Sequence, residues 1–475
     1  MSDAHLISGD ARRIPLADES VHCIVTSPPY WGLRKYAGEQ ELLWGPEKCP
    51  TFDVITGWEH EFTEQQRAGI SGGQNQNDKA ENGDGATNRP LESTTHGTCV
   101  RCGAWRGAFG LEPTVELYVR HSLEVLRELR RVLRKDGVLF WNLGDSYCGS
   151  PKGSMNGWDK SGLTQPKDGR DRAIKTALAA VADVRKSFGP LKAKDLVLMP
   201  ARIALAAQAD GWWVRSMIVW AKPNPMPESV TDRPADSYEY ILMLTKSARY
   251  FWDADAVREN SVEPERMRCD QIGGNNGVHE GWTDSTREVL ASRNMRNVWM
   301  FATQPYAGAH FATFPEELPR RCILAATSAR GACAQCGAPW ERIVNATGST
   351  IGRSWHDHQN DSLLGQRIAD PLGKGGRMQD ASHGRNGCEP YELETVGWSP
   401  TCRCRCQHGR TVPCVVLDPF AGSGTTGRVS IELNRRAVLL DLAYGRATAE
   451  DRAKGREYDR LATRRLSEVQ RILPL

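Results

Sequence analysis

Short apolar runs, each closed by a polar turn, recur along this chain, and stretches of helical spacing separate them. Val21–Val25 is an apolar run broken only by His22, as expected of a strand buried on both faces. Leu6-Ile7-Ser8-Gly9-Asp10 reads as a shorter strand that ends on a turn. Pro113 opens a helix in which Tyr118, Ser122, Val125, Leu126, Leu129 and Val132 share one face, and Gly137 is expected to stop it. Val138–Leu143 is the next buried strand and runs into Gly144-Asp145-Ser146-Tyr147. Pro200–Gln208 predicts a helix, and Trp212–Trp220 a strand. Tyr240–Thr245 and Tyr250–Trp252 predict a strand pair turning near Ser247. Pro315–Ala326 predicts another helix. From Cys414 the alternation resumes with a strand to Asp418, a glycine turn, a helix Thr425–Leu433, a strand Ala437–Leu440 and a helical tail. This alternation of strand and helix predicts an α/β fold, a doubly wound and mostly parallel sheet.

Four stretches break the pattern. Cys49–Gly110 and Cys333–His408 are read as irregular, cysteine-bearing inserts. Gly149–Lys194 and Asp253–Arg293 are polar, and Gln65–Asn88 is too rich in Gln, Asn and Gly to bury a core. The expected division is 1–48, 111–252 and 411–475 as three parts of one catalytic domain, with inserts at 49–110 and 331–410. Residues 253–295 are the candidate target-recognition region, and 296–330 a segment closing the cofactor site.

Composition narrows the setting. The chain has 475 residues, enough for two or three units, and its 61 Lys and Arg nearly balance 58 Asp and Glu. A net charge of +3 confines any nucleic-acid contact to a local patch. No apolar run approaches the roughly 20 residues of a membrane helix. The first twenty residues are interrupted by charge, unlike a signal peptide. A cytoplasmic protein is therefore expected, in which the 14 cysteines serve metal or packing rather than disulfides.

Two loops carry the chemistry. In Thr26-Ser27-Pro28-Pro29-Tyr30-Trp31 the prolines cannot continue a central strand, so the backbone must leave the sheet at Ser27. The stiff bend offers the Ser27 hydroxyl, the Pro28 carbonyl and the Tyr30 ring to a planar amine. The second loop, Asp418-Pro419-Phe420-Ala421-Gly422-Ser423-Gly424-Thr425-Thr426, follows a strand and opens a helix, the context that gives a glycine loop meaning. Asp441 ends the next strand, where a carboxylate can take ribose hydroxyls. An acidic residue leading the loop disfavours a pyrophosphate and favours a cofactor with an ammonium and a sulfonium, S-adenosylmethionine over NAD.

Taken together, the two loops resemble those of the DNA amino-methyltransferases, in the permuted β-class order with the Ser-Pro-Pro-Tyr motif first. Trp31–Arg34, Arg130–Leu133, Trp141–Tyr147, Trp220–Asn224, Arg296–Trp299 and Phe311–Leu318 look like the same family, in particular its prokaryotic and phage members with cysteine inserts. The resemblance implies methyl transfer from S-adenosylmethionine to an exocyclic amine of a base flipped out of duplex DNA. Ser27, Pro28, Pro29 and Tyr30 would be catalytic. Phe420, Gly422, Ser423 and Thr425 would cradle the amino-acid end of the cofactor, within a loop running from Asp418 through Pro419, Ala421 and Gly424 to Thr426. Asp441 would hold the ribose, Asp10 would meet the adenine amine, and Phe314 with its neighbours would close over the methionine part. Asp145 either positions the target strand or caps its own loop. Serine before Pro-Pro-Tyr leans towards cytosine N4, with adenine N6 as the alternative. A restriction nuclease is a companion that this family implies, in a prokaryotic or phage setting.

Cys99-Val100-Arg101-Cys102-Gly103 has the spacing that turns two thiolates towards one tetrahedral zinc. Cys49 and His60 complete a set, with His96 the rival of His60. Cys333-Ala334-Gln335-Cys336-Gly337 repeats the knuckle, with Cys402 and Cys404 as closers and Cys406 or His408 as competitors. Two structural zinc ions are thus expected. Cys23, Cys148, Cys322 and Cys414 read as packing residues. Arg258, Arg266, Arg268 and Arg287, with Lys222 and Arg233, are candidates for DNA contact. Two rival readings are a methyltransferase for a protein or RNA amine, and a non-catalytic zinc-bearing DNA-binding protein.

Overall fold

The apolar runs become the strands of one sheet. The computed structural model describes residues 4–32, 40–51, 57–62, 97–148, 191–192, 194–260, 292–304, 314–347, 392–404, 410–446 and 458–472. Gln65–Asn88, nearly all of Gly149–Lys194, and Leu33, Arg34 and Phe311 lie outside the described residues, as do His96, Arg266, Arg268, Arg287, Cys406 and His408. The chain divides into two units, one of 1–252, 297–339 and 404–475, the other of 253–296 and 340–403.

In chain order the elements are β1 (Ala4–Ser8), β2 (Val21–Thr26), β3 (Glu41–Trp44), β4 (Trp105–Ala108), α1 (Val115–Val132), β5 (Leu133–Leu143), α2 (Met199–Ala209), β6 (Trp213–Ala221) and β7 (Tyr238–Thr245). There follow β8 (Glu259–Asn260), β9 (Ser292–Arg293), β10 (Val298–Met300), α3 (Glu317–Ala326), β11 (Ala332–Cys333), β12 (Trp340–Thr347) and β13 (Glu392–Pro400). The chain closes with β14 (Thr411–Val412), β15 (Val415–Asp418), α4 (Thr425–Glu432), β16 (Arg436–Asp441) and α5 (Tyr458–Ile472).

The large unit holds an eight-stranded sheet in the order β1-β16-β15-β2-β5-β7-β6-β10. All neighbours pair in parallel except β7, which is antiparallel to both β5 and β6. Alternate side chains of β16 show the two layers. Val438 and Leu440 join the core that includes α1 and α2, and Leu439 joins the core built with α4 and α5. The fold is therefore the doubly wound, mostly parallel sheet expected, with the glycine loop late in the chain and the proline loop early.

Helix α1 forms because its buried face, Tyr118, Ser122, Val125, Leu126, Leu129 and Val132, recurs at helical spacing. Thr114 caps it, accepting the Leu117 amide at 3.2 Å, so Pro113 lies before the cap and not in the first turn. Gly137 does not stop this helix. The helix ends at Val132, and Gly137 lies inside β5, where a Cβ would meet the His22 carbonyl at 2.9 Å. Its lack of a side chain serves close packing, not termination. Tyr250–Trp252 is not a strand either. The partners of β7 are β5 and β6, and Phe251 donates its amide to the Asp136 carbonyl instead.

The cysteine inserts are more regular than expected. Strand β4 lies within 49–110 and pairs antiparallel with β3. In the smaller unit, β12 and β13 form a long antiparallel pair from Trp340 opposite Pro400 to Thr347 opposite Glu392. The Arg342 guanidinium covers Trp398 at 4.6 Å and grips the buried Asp253 carboxylate at 3.0 Å.

Candidate active site

One cavity of about 710 Å³ opens at the carboxyl ends of the parallel strands. Each strand delivers a wall residue there: Gly9 and Asp10 after β1, Ser27 after β2, Gly144 after β5, Pro419 after β15 and Asp441 from β16. Because β7 runs the other way, its first residues, Tyr238, Glu239 and Tyr240, face the same space.

The proline loop is strapped down on the side away from the cavity. Tyr118 donates to the Pro29 carbonyl at 2.8 Å, Trp31 Nε1 to the Glu112 carbonyl at 2.9 Å, and the Gly32 amide to the Gly110 carbonyl at 2.7 Å. Glu112 Oε2 accepts the Gly110 amide at 2.8 Å, and Glu112 Oε1 meets His121 Nδ1 at 3.0 Å. Burial pushes the Glu112 carboxyl up to about 8 and the His121 imidazole down to about 3, so this pair lies uncharged beneath the loop. Ser27, Pro29 and Tyr30 line the cavity, whereas Pro28 is buried and does not.

Tyr30 presents more than a ring. Its hydroxyl donates to Glu239 Oε2 at 2.6 Å and accepts from Asn142 Nδ2 at 2.8 Å and from Ser27 Oγ at 3.2 Å. Asn142 also donates to Glu239 at 2.8 Å, and Lys222 Nζ pairs with the other Glu239 oxygen. Lys222, a candidate DNA contact by sequence, is thus an inner wall residue. Sequence reasoning missed Asn142 and Glu239. The available signal was a carboxylate at the head of the apolar run Tyr240–Thr245, where a charge needs a reason.

The glycine loop meets the proline loop through Asp418. Thr26 Oγ1 and Thr426 Oγ1 each donate to its carboxylate at 2.7 Å, and the Phe420 amide adds 3.1 Å. Burial raises the Asp418 carboxyl to about 6 despite these donors. The expectation that Asp418 faces a ligand charge directly is therefore corrected. Its oxygens are spent inside, and Asp418, Ala421, Gly424, Thr425 and Thr426 sit behind the wall formed by Pro419, Phe420, Gly422 and Ser423. Gly422 and Gly424 adopt φ of +47° and +78°, the left-handed region that favours glycine. Arg465, from α5, donates to Ser423 Oγ at 3.0 Å and Thr425 Oγ1 at 2.8 Å. Asp441 accepts the amides of Gly422 and Ala443, both at 2.8 Å, and burial raises its carboxyl. Asp10 lines the cavity while Arg12 grips both of its oxygens, and Phe314 lines the cavity as well. Asp145 accepts the amides of Ser146 and Met199 at 2.9 and 3.0 Å, which favours the capping role of its two readings.

The chain matches the DNA methylase family over residues 21–334 and 414–450. It belongs to that family, the DNA amino-methyltransferases. Among relatives, the type II methyltransferase M.Cfr9I of Citrobacter freundii is 34% identical over 331 residues, 69% of this chain and 74% of the relative. M.XycI of Xanthomonas campestris pv. cyanopsidis is 34% identical over 327 residues, 68% of this chain and 72% of that one. Among solved structures, the cytosine-N4-specific PvuII DNA methyltransferase aligns over 99% of this chain and 92% of its own, at 11% identity and a TM-score of 0.43.

Away from the cavity, the methylase gathers its cysteines. The ligand atoms of Cys49, His60, Cys99 and Cys102 all lie within 4.8 Å of one another. Cys49 and Cys99 sulfurs are 4.0 Å apart, and Cys102 Sγ is 3.4 Å from His60 Nδ1. Sulfurs on one tetrahedral zinc stand about 3.8 Å apart, so the donor set fits that ion. His60 Nε2 meets the Pro46 carbonyl at 3.0 Å, an outer hydrogen bond that would orient the ring with Nδ1 towards the cysteines. In the second knuckle, Cys404 Sγ lies 3.5 Å from Cys333 and 3.4 Å from Cys336, and Cys402 falls in the smaller unit. His22, at the start of β2, bonds the Gly337 carbonyl at 2.8 Å, so this knuckle sits at the amino ends of the strands, opposite the cavity.

Cys23, Cys148, Cys322 and Cys414 are buried, as packing residues should be. Arg233, another candidate for DNA contact, stacks on Tyr147 at 3.9 Å and pairs with Glu228 at 3.0 Å on the cavity rim. Arg258 is held by Ser292 and Asn294 within the smaller unit. Among the described residues no helix is long and apolar enough to cross a membrane.

Proposed function

We propose that this DNA methylase transfers a methyl group from S-adenosylmethionine to the exocyclic N4 amine of a cytosine flipped out of duplex DNA. The observation that carries the reading is the Thr26–Asp418 hydrogen bond, which brings the proline loop and the glycine loop to one cavity. Ser27, in the position where adenine enzymes usually carry aspartate, favours cytosine. An exocyclic amine is a poor nucleophile because its lone pair is delocalised into the ring. Acceptance of a proton by the Ser27 hydroxyl, which lines the cavity where Pro28 does not, draws the nitrogen towards tetrahedral geometry. Pro29 holds the bend, and Tyr30 stacks on the base that the enzyme must extrude to reach its amine. Catalysis in this reading is positioning and electrostatics, with no covalent enzyme intermediate.

The cofactor would lie along Pro419, Phe420, Gly422 and Ser423, its ribose near Asp441, its adenine near Asp10 and its methionine part under Phe314. Asp418, Ala421, Gly424, Thr425 and Thr426 would act from behind, by shaping that wall. Two zinc ions would serve structure, since ligand sets made only of protein atoms leave no open position for substrate. Cys49, His60, Cys99 and Cys102 would hold one. Cys333, Cys336 and Cys404 would supply the other, with Cys402 the expected fourth ligand. Residues 253–295, with Arg258, are the proposed reader of the target sequence, and a restriction nuclease the proposed companion.

The test is direct. The protein is incubated with labelled cofactor and duplex DNA, the DNA is digested to nucleosides, and the methylated base is identified by mass. N4-methylcytosine is the expected product. Methyl on adenine N6 would replace the base assignment, and cofactor binding without any DNA methylation would replace the reaction.

A further inference from the structure

Serine accepts a proton only if it can pass one on, because a protonated hydroxyl is far more acidic than any group around it. We propose that Glu239 is the terminal acceptor of the reaction proton, reached from Ser27 through the Tyr30 hydroxyl. The inference rests on the reading of Ser27 as the group that faces the target amine.

The hydrogen bonds already have the required sense. Ser27 Oγ donates to Tyr30 Oη at 3.2 Å, and Tyr30 Oη donates to Glu239 Oε2 at 2.6 Å. Asn142 Nδ2 donates to both Tyr30 Oη and Glu239 Oε2 at 2.8 Å, which fixes the two oxygens against each other and leaves the Tyr30 hydrogen directed at the carboxylate. Gly144 packs on the tyrosine ring so closely that a Cβ there would meet Cε2 at 2.9 Å. The ring therefore has little freedom to swing its hydroxyl away. Lys222 balances the carboxylate from its other oxygen, and both side chains are largely withdrawn from solvent, at 14% and 17% exposure. Glu239, Lys222, Asn142, Tyr30 and Ser27 all line the cavity, so the chain of groups begins where a base would sit.

The step balances. The amine nitrogen forms a bond to the methyl carbon, and the carbon–sulfur bond breaks with its electron pair returning to sulfur. One amine proton passes to Ser27 Oγ, the Ser27 proton to Tyr30 Oη, and the Tyr30 proton to Glu239 Oε2. The sulfonium charge and the carboxylate charge disappear together, leaving a neutral thioether, a neutral methylated amine and a carboxylic acid. Glu239 touches no reacting atom in this scheme; it acts through Tyr30.

The experiment is single-turnover methylation of a duplex whose target base is unpaired, so that flipping does not limit the rate. Rates are measured in light and heavy water, with cofactor and DNA dissociation constants measured in parallel. Wild type is expected to show a normal solvent isotope effect. Glu239→Gln, which keeps the shape of the side chain, is expected to lower the rate about 10²-fold, to abolish the isotope effect, and to leave both dissociation constants within about threefold. Tyr30→Phe should do the same, and the double variant should be no slower than the slower single one, because both cut one path. Thermal melting checks that each variant folds. A Glu239→Gln enzyme that keeps the wild-type rate or isotope effect overturns the relay, as do losses that multiply in the double variant. A wild-type enzyme that methylates neither exocyclic amine removes the reading of Ser27 itself, and the relay with it.

Discussion

Thr26 and Asp418, 392 residues apart in the chain, are joined by a hydrogen bond of 2.7 Å beneath the floor of the cavity. Thr426 approaches the same carboxylate from the helix that follows the glycine loop, also at 2.7 Å. The Asp418 carboxylate is thus a buried rivet between the two halves of a permuted site. Thr26→Val keeps the side-chain shape and removes one donor. Bonds to a charged group contribute about 1.5–3 kcal/mol, so a loss of that order is expected in denaturant titrations. Cofactor KM should rise as well, since Pro419 and Phe420 follow the rivet directly in sequence.

The same burial gives Asp418 a pH signature. Its carboxyl, near 3.8 in an unfolded chain, rises to about 6 in the fold. The folded state therefore holds the proton more tightly than the unfolded one between these values. The contribution to stability is complete below about pH 4 and is lost as pH rises through 6, an effect of about 3 kcal/mol at full extent. Asp418→Asn is expected to flatten that part of the stability profile, measured by urea midpoints from pH 4 to 8. Glu112, raised from 4.5 to about 8, acts with the same sign in a window that extends higher. Glu112→Gln should flatten the profile up to pH 8.

What the chain disclosed in advance follows from how local each cue is. Val21–Val25 and Val138–Leu143 were legible as strands because a strand buried on both faces is apolar at nearly every position, His22 and Asn142 being the exceptions here. The glycine loop was legible because its strand and helix are adjacent in sequence. The partner of β12 was not, because β13 begins at Glu392, far beyond any hairpin turn. Gly137 misled because a glycine after a helical face resembles a stop, whereas here its use is close approach to the His22 carbonyl. Ser27, Tyr30, Phe420 and Asp441, singled out from their motifs, all line the cavity. Asn142 and Lys222 fall within the family-like stretches Trp141–Tyr147 and Trp220–Asn224 and Glu239 within none, and the three join one hydrogen-bond network only when β5, β6 and the reversed β7 bring them beside Tyr30.

Gly110 tests how firmly the proline loop must be held. Its φ is +89°, and a Cβ there would meet Pro29 Cβ at 2.9 Å and the carbonyl oxygens of Pro29 and Tyr30 at 3.1 Å. None of these atoms belongs to a flexible side chain, so Gly110→Ala must shift the loop. A displacement of about 1 Å at a reacting group can lower turnover about 10²-fold. A fall of that size in kcat is expected, and because Phe420 of the glycine loop stacks on Phe109 at 5.7 Å, cofactor KM should rise with it. An unchanged kcat would mean that the loop reaches its working position only after DNA binds.

The two cysteine clusters should separate in their effects, because only the first is continuous with the chain that supports the proline loop. The second knuckle is tied to His22 at the start of β2, far from Ser27 at its end. The first is continuous with β4, whose chain runs on through Gly110 and Glu112 to the underside of the proline loop. Elemental analysis is expected to find two zinc equivalents per chain, with Cys99→Ser and Cys333→Ser each losing one. Removal of the second ion should lower the melting temperature while leaving kcat of the remaining folded enzyme within about twofold. Removal of the first should lower both, with kcat reduced about tenfold or more, as for groups that hold a reacting loop in place. A Cys99→Ser protein with full metal content would move the first ion to other ligands, and equal kinetic effects of the two variants would dissolve the distinction that the fold draws between them.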